Sequence, residues 1–260
     1  MNKHELRSIR LLEMLQSSKR LDVQAVARSL AISEATARRF FSQLEEEGKV
    51  IRVHGGVQLA PQLGYDYSFR ASAAHHQRQK LLIGARAAEL VRDNERIFLD
   101  SGTTVLKLAE TLSLRIQSGA LRNLVVLTNS VTHLETIARW CKVILIGGEI
   151  RVERLDVCGS LAETNLQMFH VSKAFLGADA VNLTGGFMTT DERTAKMNQI
   201  VVERADQAYV LVDSSKFNKS SFVQYASFGQ VETVFTDASL PRDTLAAYTE
   251  AGARLEIVQE

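Results

Sequence analysis

The 260-residue sequence predicts an α/β protein in two unequal parts. Residues 1–60 form a winged helix-turn-helix, residues 61–74 a linker, and residues 75–260 a larger open sheet, mostly parallel. Three observations predict it. Two capped helical segments over 23–44 are separated only by a tight turn around Ala31 and Ile32. A small hairpin with a Gly-Gly turn follows them. From residue 96, short apolar runs alternate with helical stretches.

The first helix is expected from about His4 to Gln16, where Leu6, Ile9, Leu12, Met14 and Leu15 make a mostly helical stripe. Asp22 is an N-cap for a second helix that buries Val23, Val26, Ala27 and Leu30, and Ser33 is an N-cap for a third. On the third helix Ala37, Phe41 and Leu44 fall on one face and Thr36, Arg39 and Gln43 on another. The first face suits a core. The second suits DNA, because Arg can bond guanine, Gln adenine, and Thr a phosphate or a thymine methyl. Ser33 and Glu34 open the helix, the end that usually meets the groove first, and Arg38 on the flank is placed for a phosphate. Gly48 fits the left-handed residue that ends a helix. Val50–Val53 and Val57–Leu59 then read as the strands of a wing around His54-Gly55-Gly56, with Arg52 and His54 at its tip.

Pro61 and the aperiodic stretch after it read as linker, followed by a helix from about Ala73 to Val91. Its adjacent His75 and His76 point about 100° apart on a helix and do not share a metal easily. Strands are expected at 97–99, 124–127, 143–146, 173–176, 208–212, 231–235 and 254–258, with helices between several of them. Short apolar strands alternating with helices imply a parallel sheet buried on both faces.

The strand ends carry the second signal. They read Asp100-Ser-Gly-Thr-Thr104, Thr128-Asn-Ser130, Gly147-Gly148, Gly177-Ala-Asp179 and Asp213-Ser-Ser-Lys216. Ligands of open α/β sheets bind at the carboxyl ends of the strands. The segment Ser101, Gly102, Thr103, Thr104 opens a helix whose unpaired N–H groups and dipole attract phosphate. Lys216 supplies a full positive charge, and Asp100 and Asp213 accept from sugar hydroxyls. The ligand implied is a small phosphorylated polyol.

Composition permits this reading. The chain is 45% hydrophobic and 23% charged, enough for a sizeable core. Residues 1–60 carry 10 Lys+Arg against 7 Asp+Glu, and residues 61–260 carry 21 against 23, so the positive excess sits at the N-terminal end. Cys141 and Cys158 have no partner at metal-ligand spacing and read as reduced thiols of a cytosolic protein. No apolar run approaches the roughly 20 residues that span a bilayer, and the charged N-terminus lacks a signal-peptide core. A cytoplasmic protein with no membrane partner is expected.

The residues resemble the DeoR-type transcriptional regulators, the bacterial repressors of sugar catabolism. The likeness is carried by Ser33-Glu-Ala-Thr-Ala-Arg-Arg39, Leu44-Glu-Glu-Glu-Gly48 and Arg52-Val-His-Gly-Gly56. It continues in Asp100-Ser-Gly-Thr-Thr104, Thr128-Asn-Ser130, Gly147-Gly148, Gly159, Lys196 and Asp213-Ser-Ser-Lys-Phe217. The resemblance implies a sensor domain similar to ribose-phosphate isomerases and CoA transferases. It also implies a double-stranded operator, a phosphorylated sugar or sugar-acid effector, and a homo-oligomer. Effector contacts are expected from the strand-end residues above together with Glu192 and Lys196. No cofactor, metal or catalytic residue is expected. Two departures stand out. Phe40-Phe41 replaces the family's usual Asp-Leu, which puts an apolar group near the DNA face or in a packing seam. Asp93-Asn-Glu-Arg96 lacks the glycine usually found before the first sensor strand.

Two other functions fit parts of the sequence. Asp100, Glu192, Lys196 and Lys216 could form the acid/base set of a sugar-phosphate isomerase. Alternatively, the protein binds DNA as an oligomer and its pocket is vestigial.

Overall fold

The computed structural model describes residues 10–11, 14–15, 18, 20–46, 50–53, 55–59 and 68–259. The chain divides into two compact units, residues 1–63 and 64–260.

In the first unit, the expected helix His4–Gln16 lies mostly outside the described residues, but Leu11 and Leu15 are fully buried. A strand that the sequence did not suggest, β1 (Arg20–Asp22), joins β2 (Val50–Val53) and β3 (Gly56–Leu59) in the order β1-β3-β2. Asp22 ends β1 and caps the helix Val23–Ser29, its carboxylate accepting from Ala25 N at 2.8 Å. The turn passes through Ala31 at φ 50, a left-handed conformation that costs an alanine. Ser33 Oγ then accepts from Thr36 N at 3.2 Å, opening the helix Glu34–Glu46. Ala37, Phe40, Phe41 and Leu44 pack inward with Leu11, Leu15, Val26 and Val57. Gly56 sits against β1 so closely that a Cβ would lie 2.0 Å from Leu21 O, so only glycine permits this pairing. The Gly48 stop lies outside the described residues.

The second unit is built on a seven-stranded sheet, all parallel, in the order β15-β14-β12-β9-β4-β5-β6. Its strands are β4 (Arg96–Leu99), β5 (Val125–Thr128), β6 (Lys142–Leu145), β9 (Val171–Leu176), β12 (Ala205–Leu211), β14 (Thr233–Asp237) and β15 (Leu255–Val258). Alternate residues feed two cores. Ile97, Leu99, Phe175, Tyr209 and Leu211 face one, and Phe98, Ala174, Leu176 and Val210 face the other. The central parts of the strands, such as Ile97–Leu99 and Ala208–Leu211, therefore read as apolar runs. The chain runs outward from β4 to β6 and returns to place β9 on the other side of β4. The winding thus reverses between β4 and β9, which is where such sheets open a crevice.

Several elements depart from the sequence reading. The hairpin β7 (Glu149–Arg151)–β8 (Asp156–Cys158) and the antiparallel sheet of β10 (Ala180–Asn182), β11 (Gly186–Thr189) and β13 (Val223–Ala226) were not expected. The helix expected from Ala73 to Val91 is two helices, Phe69–Ala74 and Gln77–Ala88, broken where His76 turns left-handed at φ 54. Residues 68–74, assigned to the linker, belong to this unit. Ser68 caps the first helix, Phe69 is buried, and Phe69 N donates to Glu153 O at 2.9 Å. Residues 61–67 lie outside the described ones. Where the glycine before the first sensor strand is missing, Asn94 takes the left-handed turn at φ 66.

Candidate ligand crevice and DNA-reading helix

The crevice at the β4/β9 reversal is built largely from backbone. Leu99 leads into Asp100, Ser101 and Gly102, and Leu176 into Gly177, Ala178 and Asp179, all lining one pocket. Asp100 clamps the two loops together. Its N–H donates to Phe175 O at 3.0 Å, and its Oδ2 accepts from Gly177 N at 3.0 Å. Gly102 and Gly177 face each other, so that a Cβ on either would stand 3.6 to 3.7 Å from the other's Cα. Tyr225, buried beneath, donates its hydroxyl to Gly177 O at 2.7 Å.

Gly102 is the N-cap of the helix Thr103–Gln117 and has no side chain to bond the first-turn N–H groups. The first-turn N–H groups of that helix thus have no side-chain cap, the arrangement that favours an anion. Two lysines share the pocket with it, Lys80 and Lys216. Lys80 is 3% exposed and its ammonium donates to Ser72 O at 2.6 Å. Burial pushes its pKa down to about 8, with Asp213 working the other way. Lys216 ends a short turn, Ser214–Lys216, capped by the buried Asp213, which accepts from Ser215 N at 3.1 Å. Ser72 Oγ lies 3.2 Å from Thr103 Oγ1 and closes that side.

Another wall is acidic. Arg154, from the β7–β8 turn, lines the pocket with Asp179 and Thr189. It stands 3.5 Å from Asp191, 3.7 Å from Asp156 and 3.9 Å from Asp179. Behind it Arg151 binds Asp156 through two nitrogens at 2.8 and 2.7 Å, and Asp191 at 2.8 Å. Burial opposes the Arg151 charge, but Asp156 and Asp191 outweigh it and hold the guanidinium protonated. For Asp191, burial is outweighed by the Thr194 N–H and hydroxyl and by both arginines, so its pKa lies below the ordinary value. Asp100 is different: burial raises its pKa to about 6.

Of the residues expected to bind effector, Asp100, Ser101, Gly102, Thr103, Thr104, Asp179 and Lys216 line this pocket. Eight others do not. Thr128, Asn129 and Ser130 form a buried turn, where Thr128 Oγ1 donates to Leu99 O at 2.6 Å and Asn129 O accepts from Val157 N at 2.8 Å. These bonds tie the end of β5 to β4 through Thr128 and to β8 through Asn129. Gly147 and Gly148 are exposed at the entry to β7, where a Cβ on Gly148 would meet Cys158 O at 2.6 Å. Asp213 caps the Lys216 turn from beneath. Glu192 and Lys196 are exposed on the helix Glu192–Glu203, whereas Thr194 and Asn198 of the same helix line the pocket. Two residues of offset turn a helix by about 200°, so the expected pair lies on a different face from the one that lines the pocket. Lys80 and Arg154 were missed altogether. The one available signal for Lys80 was its place in the apolar stripe with Ile83, Gly84 and Ala87.

On the helix Glu34–Glu46, Ser33, Glu34, Arg38, Arg39 and Gln43 are exposed and Thr36 is half-buried. Phe40 is 3% exposed and sits in the core, so it fills a packing seam and not the DNA face. Arg52 does not stand at the wing tip. Its guanidinium turns back onto the helix, bonding Glu45 Oε2 at 3.2 Å, Ser42 Oγ at 2.5 Å and Arg38 O at 3.3 Å. His54 lies outside the described residues.

A winged helix-turn-helix joined to a doubly wound domain with a crevice at its strand ends is the architecture of a ligand-sensing transcription regulator. Residues 7–62 match the DeoR-like helix-turn-helix domain and residues 75–238 the DeoR C terminal sensor domain. The chain belongs to the DeoR family. It is similar to the uncharacterized HTH-type transcriptional regulator FruR of Bacillus subtilis, with 29% identity over 88% of this chain and 89% of the relative. It is also similar to the putative aga operon transcriptional repressor of Escherichia coli O157:H7 (27% identity, covering 96% and 92%). A third relative is the transcriptional repressor GlcR of B. subtilis (29%, covering 90% and 88%). Among solved structures, ribose 5-phosphate isomerase A of Methanocaldococcus jannaschii aligns over 54% of each chain at 23% identity and a TM-score of 0.41. No described helix is long and apolar enough to cross a membrane.

Proposed function

We propose that this regulator is a cytoplasmic repressor of a carbohydrate operon, released or recruited by a phosphorylated sugar-type effector. The observation that carries the effector class is the uncapped start of the helix Thr103–Gln117, flanked in one pocket by Lys80 and Lys216. Helix N–H groups and two ammonium groups converging there suit a phosphate. Hydroxyls and carboxylates on the remaining walls suit a polyol. Relatives named as repressors, GlcR among them, support the sign of regulation.

The DNA contacts proposed are Arg39, Gln43 and Thr36 for base edges and Arg38, Ser33 and Glu34 near the backbone, with a homo-oligomer reading a repeated or palindromic operator. Arg52 acts by bracing the helix. Catalysis is not proposed, because Glu192 and Lys196 lie outside the pocket and the acid/base set is not assembled. The test is operator binding measured by fluorescence anisotropy against a panel of sugar phosphates. Arg39→Ala is expected to weaken specific binding. Lys216→Ala is expected to leave DNA affinity intact and to abolish the response to phosphate esters. A Lys216→Ala protein that still responds would sink the phosphate assignment.

A further inference from the structure

We infer that the effector is a phosphate monoester of an otherwise neutral polyhydroxy compound, with no second anionic group, and neither a phosphorylated sugar acid nor a bisphosphate. This rests on the proposed phosphate site and narrows it. The argument is a charge count on the wall away from the lysines. Arg151 and Arg154 are the two cations there, and Asp156, Asp179 and Asp191 are already within 4 Å of one or both. Asp100, a fourth acid, lies close enough to interact with Asp156 and Arg154.

Two guanidinium groups facing three or four carboxyl groups leave no positive charge to spare. Arg154 also spends one N–H on Thr190 Oγ1 at 2.9 Å. A ligand carboxylate or second phosphate would have to displace Asp179 or Asp191 from Arg154 and then sit beside the acid it displaced. Like charges placed together in a partly desolvated site are a strong rejection device. Hydroxyl groups meet the opposite situation. They can donate to Asp100 and Asp179 and exchange bonds with Thr189, Thr194 and Asn198, all of which line the pocket.

The experiment is calorimetric titration of the purified full chain with matched pairs. These are glucose 6-phosphate against 6-phosphogluconate, erythrose 4-phosphate against 4-phosphoerythronate, and fructose 6-phosphate against fructose 1,6-bisphosphate, with inorganic phosphate as the minimal probe. In every pair that binds, the neutral member is expected to bind tighter by about tenfold or more. Asp179→Asn, which keeps an acceptor for Thr189 and Thr190, is expected to narrow that gap. An acidic member that binds as tightly as its neutral partner in the unmodified protein overturns the inference and leaves the phosphate site standing. If no ester binds and inorganic phosphate does not either, the phosphate site itself falls, and this inference with it.

Discussion

The ammonium of Lys80 reaches the carbonyl of Ser72 at 2.6 Å, and both residues line the crevice in front of the helix that begins at Thr103. A lysine this buried is under-compensated by one carbonyl and the charge of Asp213, so burial lowers its pKa to about 8 from 10.5. An arriving phosphate would supply the missing charge.

Lys80→Met is therefore expected to weaken phosphate-ester binding by about tenfold or more while leaving the fold intact. The pH dependence gives a second check. Between pH 8 and 10.5 the unfolded chain holds the Lys80 proton and the folded chain has lost it. Stability then rises with pH across that window, by up to roughly 3 kcal/mol. Urea titrations of both proteins at several pH values should show this rise in the parent and its loss in Lys80→Met.

Asp100 has the opposite sign. Its folded pKa is about 6 against an ordinary 3.8, so the folded state holds the extra proton between those values. Its contribution is fully present below pH 4 and is lost as pH rises through 6. Asp100→Asn should stabilise the sensor unit at pH 7 by roughly 1–3 kcal/mol and weaken ligand binding at the same time. An unchanged melting temperature at pH 7 would count against a desolvated Asp100.

Ala31 makes the turn of the helix-turn-helix at φ 50. Glycine adopts that conformation without a Cβ penalty, so Ala31→Gly is expected to stabilise the first unit by about 1 kcal/mol. Operator affinity should be unchanged, because Ala31 only sets the crossing of the two helices. Differential scanning calorimetry of the full chain measures the first, and anisotropy the second.

Phe40 is 3% exposed in the core of the first unit, and placing an acid there is a clean test of its buried position. Phe40→Asp should destabilise the first unit by about 3 kcal/mol or more, whereas Phe40→Leu should cost about 1–1.5 kcal/mol. If Phe40→Asp folds normally and merely alters operator preference, then Phe40 faces DNA and not the core.

The parallel sheet was legible in the sequence because its strands are buried on both faces. Ile97-Phe-Leu99 and Tyr209-Val-Leu211 leave little else for an apolar run to be. The hairpins were not legible. Glu149-Ile-Arg151 and Asp156-Val-Cys158 are three residues each, and their charged ends look like solvated surface. Only the fold brings Asp191 against Arg151, forty positions away, and turns that surface inward. Lys80 was hidden for the same reason, since a lysine in Gln-Arg-Gln-Lys looks exposed until Ser72 and Asp213 are placed around it. The strand ends that meet at the β4/β9 reversal line the pocket, whereas Thr128 and Gly147 end strands farther from it and do not. The buried face of the helix Glu34–Glu46 was legible because helical period alone separates Ala37, Phe41 and Leu44 from the exposed Arg39 and Gln43.

Gly102 and Gly177 meet across the crevice with no side chain between them. The floor of the pocket is therefore main chain, supplied by the two strands that set the topology, and substitution cannot easily change its hydrogen-bonding character. The walls are side chains carried by turns and hairpins outside the parallel sheet, Arg154 and Asp179 among them. Inheritance can revise those walls one residue at a time and so change what the pocket accepts, while the main-chain floor stays as it is.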